Sequence, residues 1–171
     1  NPRMLELMGA IEGAQRELSA EFRLSGFIKD KLFTDAQAEA MYRAGFRWIL
    51  TGFESGSPRI LRNMNKKFNL REIRQTAETL ARHGIRQQGF LMLGGPGETQ
   101  ESVLESLTFA DSLPLDELKI TSGIRIYPQT ALARVAIDAG MISPDDDLLL
   151  PKFYLVRELE EWLLETVKTW M

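Results

Sequence analysis

Apolar and polar positions along the chain switch repeatedly between a helical period and a strand-like one. From Arg3 to Glu21 the apolar residues Leu5, Met8 and Ile11, then Leu18, suit an amphipathic helix. Residues 22–28, FRLSGFI, read as a short strand. Thr34 opens TDAQAEAMYRAG, in which Thr34 and Gln37 have capping-box spacing and Gly45 stands where a left-handed helix stop belongs. Residues 46–53, FRWILTGF, are rich in β-branched and aromatic side chains and predict a second strand. Ser57-Pro58 is an N-cap followed by proline, opening a short helix to about Met64. Asn69 with Glu72 opens a longer helix closed by Gly84, and a strand follows at 86–93. GGPGET then leads to a helix over 100–112, a strand over 119–126, and a helix over 131–139 that stops at Gly140. Ser143-Pro144 begins a short acidic turn in which Asp145, Asp146 and Asp147 read as first-turn acids. Phe153-Tyr154-Leu155 reads as an anchoring plug, and residues 156–169 as a closing amphipathic helix whose Trp162, Trp170 and Met171 suggest a docking face.

Strands near 22–28, 46–53, 86–93 and 119–126, alternating with helices, read as βα units on a parallel sheet. Four strands cannot close an eight-stranded barrel, so the expectation is a partial barrel or a small open sheet. The length of 171 residues points to one domain, and 44% apolar with 26% charged residues is ordinary globular composition. The net charge of −3 argues against a polyanion partner, so no nucleic acid is expected. No cysteine is present, which excludes a disulfide, a Cys-bound zinc or a thiolate-held iron–sulfur cluster within these residues; His83 alone cannot build a multi-histidine centre. No apolar run approaches a membrane span, and the N-terminus lacks a signal-peptide core, so the expected location is cytoplasmic, away from membranes. The chain starts at Asn1 rather than Met, which reads as a piece of a longer protein.

In parallel α/β folds, sites form at the carboxyl ends of the strands, and three unusual segments fall there. Gly52-Phe53-Glu54-Ser55-Gly56-Ser57 places a carboxylate and a hydroxyl where they could take both hydroxyls of a ribose. Its purely structural reading is that Glu54 and Ser55 end a strand and cap the helix at Pro58. Gly94-Gly95-Pro96-Gly97-Glu98-Thr99 lets a ligand approach the backbone ahead of a helix N-terminus, or is simply a tight turn with Thr99 as N-cap. It lacks the Gly-Lys-Ser/Thr ending of a P-loop and the spacing of a dinucleotide fingerprint. Ile126-Tyr127-Pro128-Gln129-Thr130 could stack on a flat base, or merely organise the next helix. Lys66-Lys67 are solvated, or hold a ligand carboxylate if they face the site. His83, in a last helical turn, suits the helix dipole as a cation.

The order GFESGSPRILRNMNKKFN, FLMLGGPGET and IRIYPQTALARVAIDAGMI resembles the radical S-adenosylmethionine (SAM) enzymes, closest to those built with an upstream cobalamin-binding domain, across about residues 20–155. The resemblance implies an α/β fold, a partial (βα) TIM-like barrel fragment with about four parallel strands and flanking helices: residues 1–155 as the truncated barrel, 156–171 as a C-terminal helix packing on it. It implies that Glu54 and Ser55 contact the SAM ribose, that Phe90, Met92 and Gly94 lie beside the adenine, that Ile126 and Tyr127 form a further contact, and that Lys66 holds a basic position near the site. Gln129 stands where members carry glycine, and Phe90 where they often carry a small residue. The implied cofactors are SAM, a [4Fe–4S] cluster in the parent protein only, since the CxxxCxxC loop is absent here, and in some relatives cobalamin. The implied chemistry is reductive cleavage of SAM to a 5′-deoxyadenosyl radical, with this chain alone inactive and retaining a remnant of the nucleoside site. The expected partners are the missing N-terminal part of the same protein and an unidentified substrate. An open edge at strand 22–28 also favours self-association, unless a segment such as the N-terminal helix covers it. Two other readings stay open: a cluster-free module that binds a nucleoside or sugar phosphate, favoured by the lack of thiols, and a structural docking domain in which Glu54→Ala and Ser55→Ala change no binding property.

Overall fold

Side-chain caps fix most helix starts where the sequence places them. A computed structural model describes residues 2–170. Its elements are α1 (Pro2–Leu18), β1 (Leu24–Ile28), α2 (Asp35–Arg43), β2 (Phe46–Glu54), α3 (Pro58–Asn63), α4 (Leu70–Arg82), β3 (Arg86–Leu93), α5 (Gln100–Asp111), β4 (Glu117–Ser122), β5 (Ile124–Arg125), α6 (Ala131–Asp138), β6 (Phe153–Tyr154) and α7 (Glu160–Trp170), the last entered through a 3-10 turn. Thr34 and Gln37, Asn69 and Glu72, and Thr99 and Ser102 form reciprocal capping boxes on α2, α4 and α5. Thr130 caps α6 through the amide of Ala133. Ser57 occupies the N-cap of α3 but makes no side-chain cap bond, so Pro58 at the first turn starts that helix without it.

The four long strands form one parallel sheet in the order β1-β2-β3-β4. Helices cover one face only. On that outer face, Phe53, Leu91 and Leu93 pack with Ile73 and Ala77 of α4, Val103 and Leu107 of α5, and Leu163 and Val167 of α7. A second cluster joins Met8 of α1, Met41 of α2, Ile49 and Leu80. Side chains alternate across a strand, so Phe27, Leu50, Gln88, Phe90 and Met92 point to the opposite, concave face. That face is open: Phe27 is 72% exposed, its ring 5.9 Å from that of Phe90. This is a barrel wall with part of its circumference missing, as the alternating pattern predicts.

Three expectations are corrected. The fourth strand is not continuous over 119–126: Gly123, at φ +84°, turns the chain after Ser122, and the two residues beyond it pair antiparallel with Phe153–Tyr154. That hairpin and α6 enclose a small satellite core of Ile126, Ala133, Ala136, Ile142, Leu148 and Tyr154. The acidic run opens no helix; Asp146 and Asp147 accept from the amides of Leu148 and Leu149, and Asp146 pairs with Lys152. Trp162 and Trp170 pack against the molecule's own main core, and Trp170 Nε1 reaches Asp111 at 3.2 Å; Met171 lies outside the described residues. His83 does terminate α4, with Nε2 3.1 Å from Asp35. β1 is an edge strand; α1 lies alongside, leaving a trough of about 760 Å³ lined by Met4, Leu7, Phe27 and Leu32. No helix among the described residues is long and apolar enough to cross a membrane.

Leu163 is fully buried where α7 meets the sheet. Leu163→Ala is expected to lower the unfolding free energy by roughly 2–5 kcal/mol, the range for emptying such a position, measured by urea titration.

Candidate functional site

At the carboxyl ends of β2 and β3 lies a cavity of about 480 Å³, lined by Glu54, Lys66, Met92, Met64, Pro96 and Ile124, with Leu132 and Val135 of α6 along one side. Its volume falls in the range of small-molecule sites, and it combines apolar walls with the Glu54–Lys66 pair and the amides Asn63 and Asn65. A larger hollow of about 940 Å³, around Leu70, Leu104 and Phe109, sits among the outer helices, away from the strand ends.

Glu54 is projected into the cavity by an unusual backbone. It has φ +67°, the left-handed region that a non-glycine residue enters at a cost. What holds it there is the turn that follows. The Ser55 hydroxyl lies 2.9 Å from Ser106 Oγ on α5 and accepts from the Ser57 amide at 3.0 Å, while Ser106 Oγ accepts from the Gly56 amide at 2.9 Å. Gly56 sits so near α5 that an added Cβ would lie 2.7 Å from Ser106 Cα. Lys66, arriving from the α3–α4 connection, donates to the Gly52 carbonyl at 3.0 Å and pairs with Glu54 Oε1 at 3.4 Å.

The glycine-rich turn is organised from within. The buried Glu98 carboxylate accepts from the Gly94 amide and, at 3.0 Å, from the Gly95 amide. Burial raises its pKa, opposed by those two amides and by Arg59. Arg59 also donates to the Gly97 carbonyl at 2.5 Å and to Thr99 Oγ1 at 3.2 Å, tying α3 to the turn. The amides of Gly94 and Gly95 are therefore already satisfied, and the turn offers the cavity shape through Pro96. Leu155 fills the space beside Gly94, and the Val156 amide donates to the Gly94 carbonyl at 3.0 Å.

Of the residues singled out in the sequence, Glu54, Lys66 and Met92 meet at this cavity. Phe90 lies one pleat below Met92, against Phe27 and under the Lys119 ammonium. Gly94 shapes the rim from behind Leu155. Ser55 is buried against α5, so its hydroxyl faces away from the cavity. The Ile126 side chain lies in the satellite core, and Tyr127 is half exposed beneath the Arg125 guanidinium; neither lines the cavity, and Ile124 stands there instead. Gln129, where a glycine was expected, takes φ +62°, the conformation that glycine would adopt.

One group the sequence reading passed over is Asp30, just beyond β1. The β1–β2 register pairs Ile28 with Thr51, which brings Asp30 level with the end of β2. Asp30 is 1% exposed and its Oδ2 has no hydrogen-bond partner. Burial pushes its pKa up to about 7, against the pull of Lys66 and with a smaller push from Glu54. The signal was positional: a carboxylate at a strand's carboxyl end, between Lys29 and Lys31. Among the described residues no group of three or more metal-ligating side chains could hold a metal ion.

A family model described as the radical SAM superfamily matches residues 2–110. A protein of Pyrococcus horikoshii named uncharacterized methyltransferase PH0819 is 32% identical over 110 residues, which are 64% of this chain and 24% of that protein. This chain thus spans about a quarter of that relative's length. Two solved structures share the fold. The radical SAM methyltransferase TsrM of Kitasatospora setae, solved with tryptophan substrate and a SAM analogue, superposes with TM-score 0.70 at 18% identity, covering 79% of this chain and 27% of that one. Coproporphyrinogen III oxidase HemN of Escherichia coli, described as a radical SAM enzyme, gives 0.68 at 17%, covering 97% and 37%.

Two outcomes are expected. Because residue 54 is left-handed, Glu54→Gly should be more stable than Glu54→Ala by about 1 kcal/mol in denaturant unfolding, although glycine ordinarily ranks below alanine. Asp30 keeps its proton to about pH 7 when folded and loses it near 3.8 when unfolded. The folded state therefore binds more protons between those values, and stability falls as pH rises through them. Asp30→Asn removes that loss: thermal melts across pH should show the variant gaining on the parent from pH 4 to pH 8, by up to roughly 4 kcal/mol.

Proposed function

The chain belongs to the radical SAM superfamily, and on that premise we propose that it supplies the adenosyl-binding part of a SAM site. The observation that carries this reading is the cavity at the carboxyl ends of β2 and β3, where one carboxylate, Glu54, faces apolar walls of nucleoside size. Glu54 accepts the ribose hydroxyls, Met92 and Ile124 flank the adenine, and Lys66 holds the Glu54 side chain in its rotamer through the shared contact with the Gly52 carbonyl. Ser55 contributes from behind, by fixing the turn that presents Glu54.

The 171 residues contain no cysteine, so they do not fit a [4Fe–4S] cluster, and its ligands belong to a part of the protein outside this sequence. In this reading the free edge of β1 and the trough beside it receive that part, which completes the barrel, and the isolated chain performs no reductive cleavage of SAM. The named relatives favour methyl transfer as the reaction of the whole protein. A solved form of TsrM contains cobalamin and a [4Fe–4S] cluster, which supports both cofactors in the parent. The absence of thiols also favours a second reading, a cluster-free module for a nucleoside or sugar phosphate. Cysteines at CxxxCxxC spacing in the full-length gene, ahead of Asn1, decide for the enzyme.

Titration of SAM and S-adenosylhomocysteine against the chain, followed by ligand-observed NMR, should show weak binding that Glu54→Gln reduces by about tenfold or more, the usual cost of losing a hydrogen bond to a charged group. Unchanged binding in that variant would refute the assignment. Reconstitution with iron and sulfide under reducing conditions should yield no 5′-deoxyadenosine, and turnover by this chain alone would contradict its assigned inactivity.

A further inference from the structure

The strand-end rim carries two carboxyl groups and one ammonium: Asp30, Glu54 and Lys66. Lys66 is committed to Glu54 and to the Gly52 carbonyl, whereas one oxygen of Asp30 is sealed from solvent without a partner. Glu54 and Lys66 line the cavity, and they are the charged groups that act on Asp30; Lys29 and Lys31 on either side of it are exposed. The cluster therefore has two charge states. With Asp30 protonated the three groups sum to zero, and with Asp30 ionised they sum to minus one.

We propose that Asp30 is a specificity-determining residue that sets the charge the cavity accepts, its ionised form selecting a ligand with a net positive charge such as a sulfonium over the uncharged thioether of the same shape. Asp30 needs no contact with the ligand. A buried carboxylate with one oxygen unpartnered acts through a low-dielectric interior, where charge is poorly screened. The arriving cation stabilises the ionised acid and the ionised acid stabilises the cation, so the two are linked by the same factor. In protons the step balances simply: the Asp30 carboxylic acid releases one H⁺ to the buffer, and the complex of ionised cluster and cation is neutral. A neutral ligand gains nothing from that release and binds either state.

This rests on the adenosyl reading, and the test separates the two. SAM carries one positive charge more than S-adenosylhomocysteine. Each is titrated into the chain by calorimetry at pH 6, 7 and 8, in two buffers of different ionisation enthalpy. Binding to the ionised state alone, with Asp30 titrating near 7, predicts about a tenfold gain in SAM affinity from pH 6 to pH 8 and release of part of a proton at pH 7. S-adenosylhomocysteine should show a flat profile and no release. Asp30→Asn, a near-isosteric mimic of the protonated acid, should hold SAM at the weak affinity of the protonated state at every pH while S-adenosylhomocysteine binds as before. If that variant does not fold, proton release by the parent with SAM and not with S-adenosylhomocysteine decides the matter. Binding of both ligands with flat profiles overturns this inference and leaves the adenosyl reading standing. Binding of neither overturns both.

Discussion

Parallel strands impose a constraint from which the rest of this structure follows. Each strand must be followed by a crossover that carries the chain back along the sheet, and right-handed crossovers here lay α2, α4 and α5 on one face. Every strand then delivers its carboxyl end to the same rim. Residues 30, 54 and 94, far apart in the chain, become neighbours of one edge because hydrogen-bond register places the strand ends side by side. Burial of Phe53, Leu91 and Leu93 under the helices fixes which face each alternate residue takes, and so turns Glu54 and Met92 toward the cavity.

The rim is stiff where it needs to be. Glu54 keeps its left-handed backbone because the next three residues are held by Ser106 and by the close approach of Gly56 to α5. The glycine-rich turn holds its shape through Glu98, whose Oε2 accepts from the turn's own Gly94 and Gly95 amides. Neither support touches the cavity directly. Both convert a flexible loop into a fixed wall, which is how a binding geometry is preorganised before a ligand arrives.

Much of this was legible in the chain. Strand–helix alternation, the Thr34, Asn69 and Thr99 caps and the glycine stops are local signals, and they located the elements to within a few residues. What stayed hidden is non-local. Nothing in IRIYPQT announces that Gly123 reverses the chain and hands residues 124–125 to an antiparallel partner near 153, so Ile126 was assigned to the rim when its side chain belongs to the satellite core. Ser55 and Glu54 are adjacent and both polar; only the position of Ser106 on α5, 51 residues away, separates their roles. Asp30 stands between two lysines, and its burial depends on elements the sequence does not place beside it. The family match bears out the resemblance to the radical SAM enzymes, while the side-chain directions within each motif come from packing.

The contact between Leu155 and Gly94 joins the segment after β6 to the middle of the rim. During synthesis the four parallel strands leave the ribosome well before residues 153–170 do. Until those residues emerge, the Gly94 carbonyl lacks the Val156 amide and the outer face of β3 lacks α7. The nascent chain can thus form these strands before the segment that backs Gly94 is made, scaffold first and that support afterwards. A stop between β4 and Leu155 would leave the sheet without the Leu155 and Val156 contacts that back Gly94.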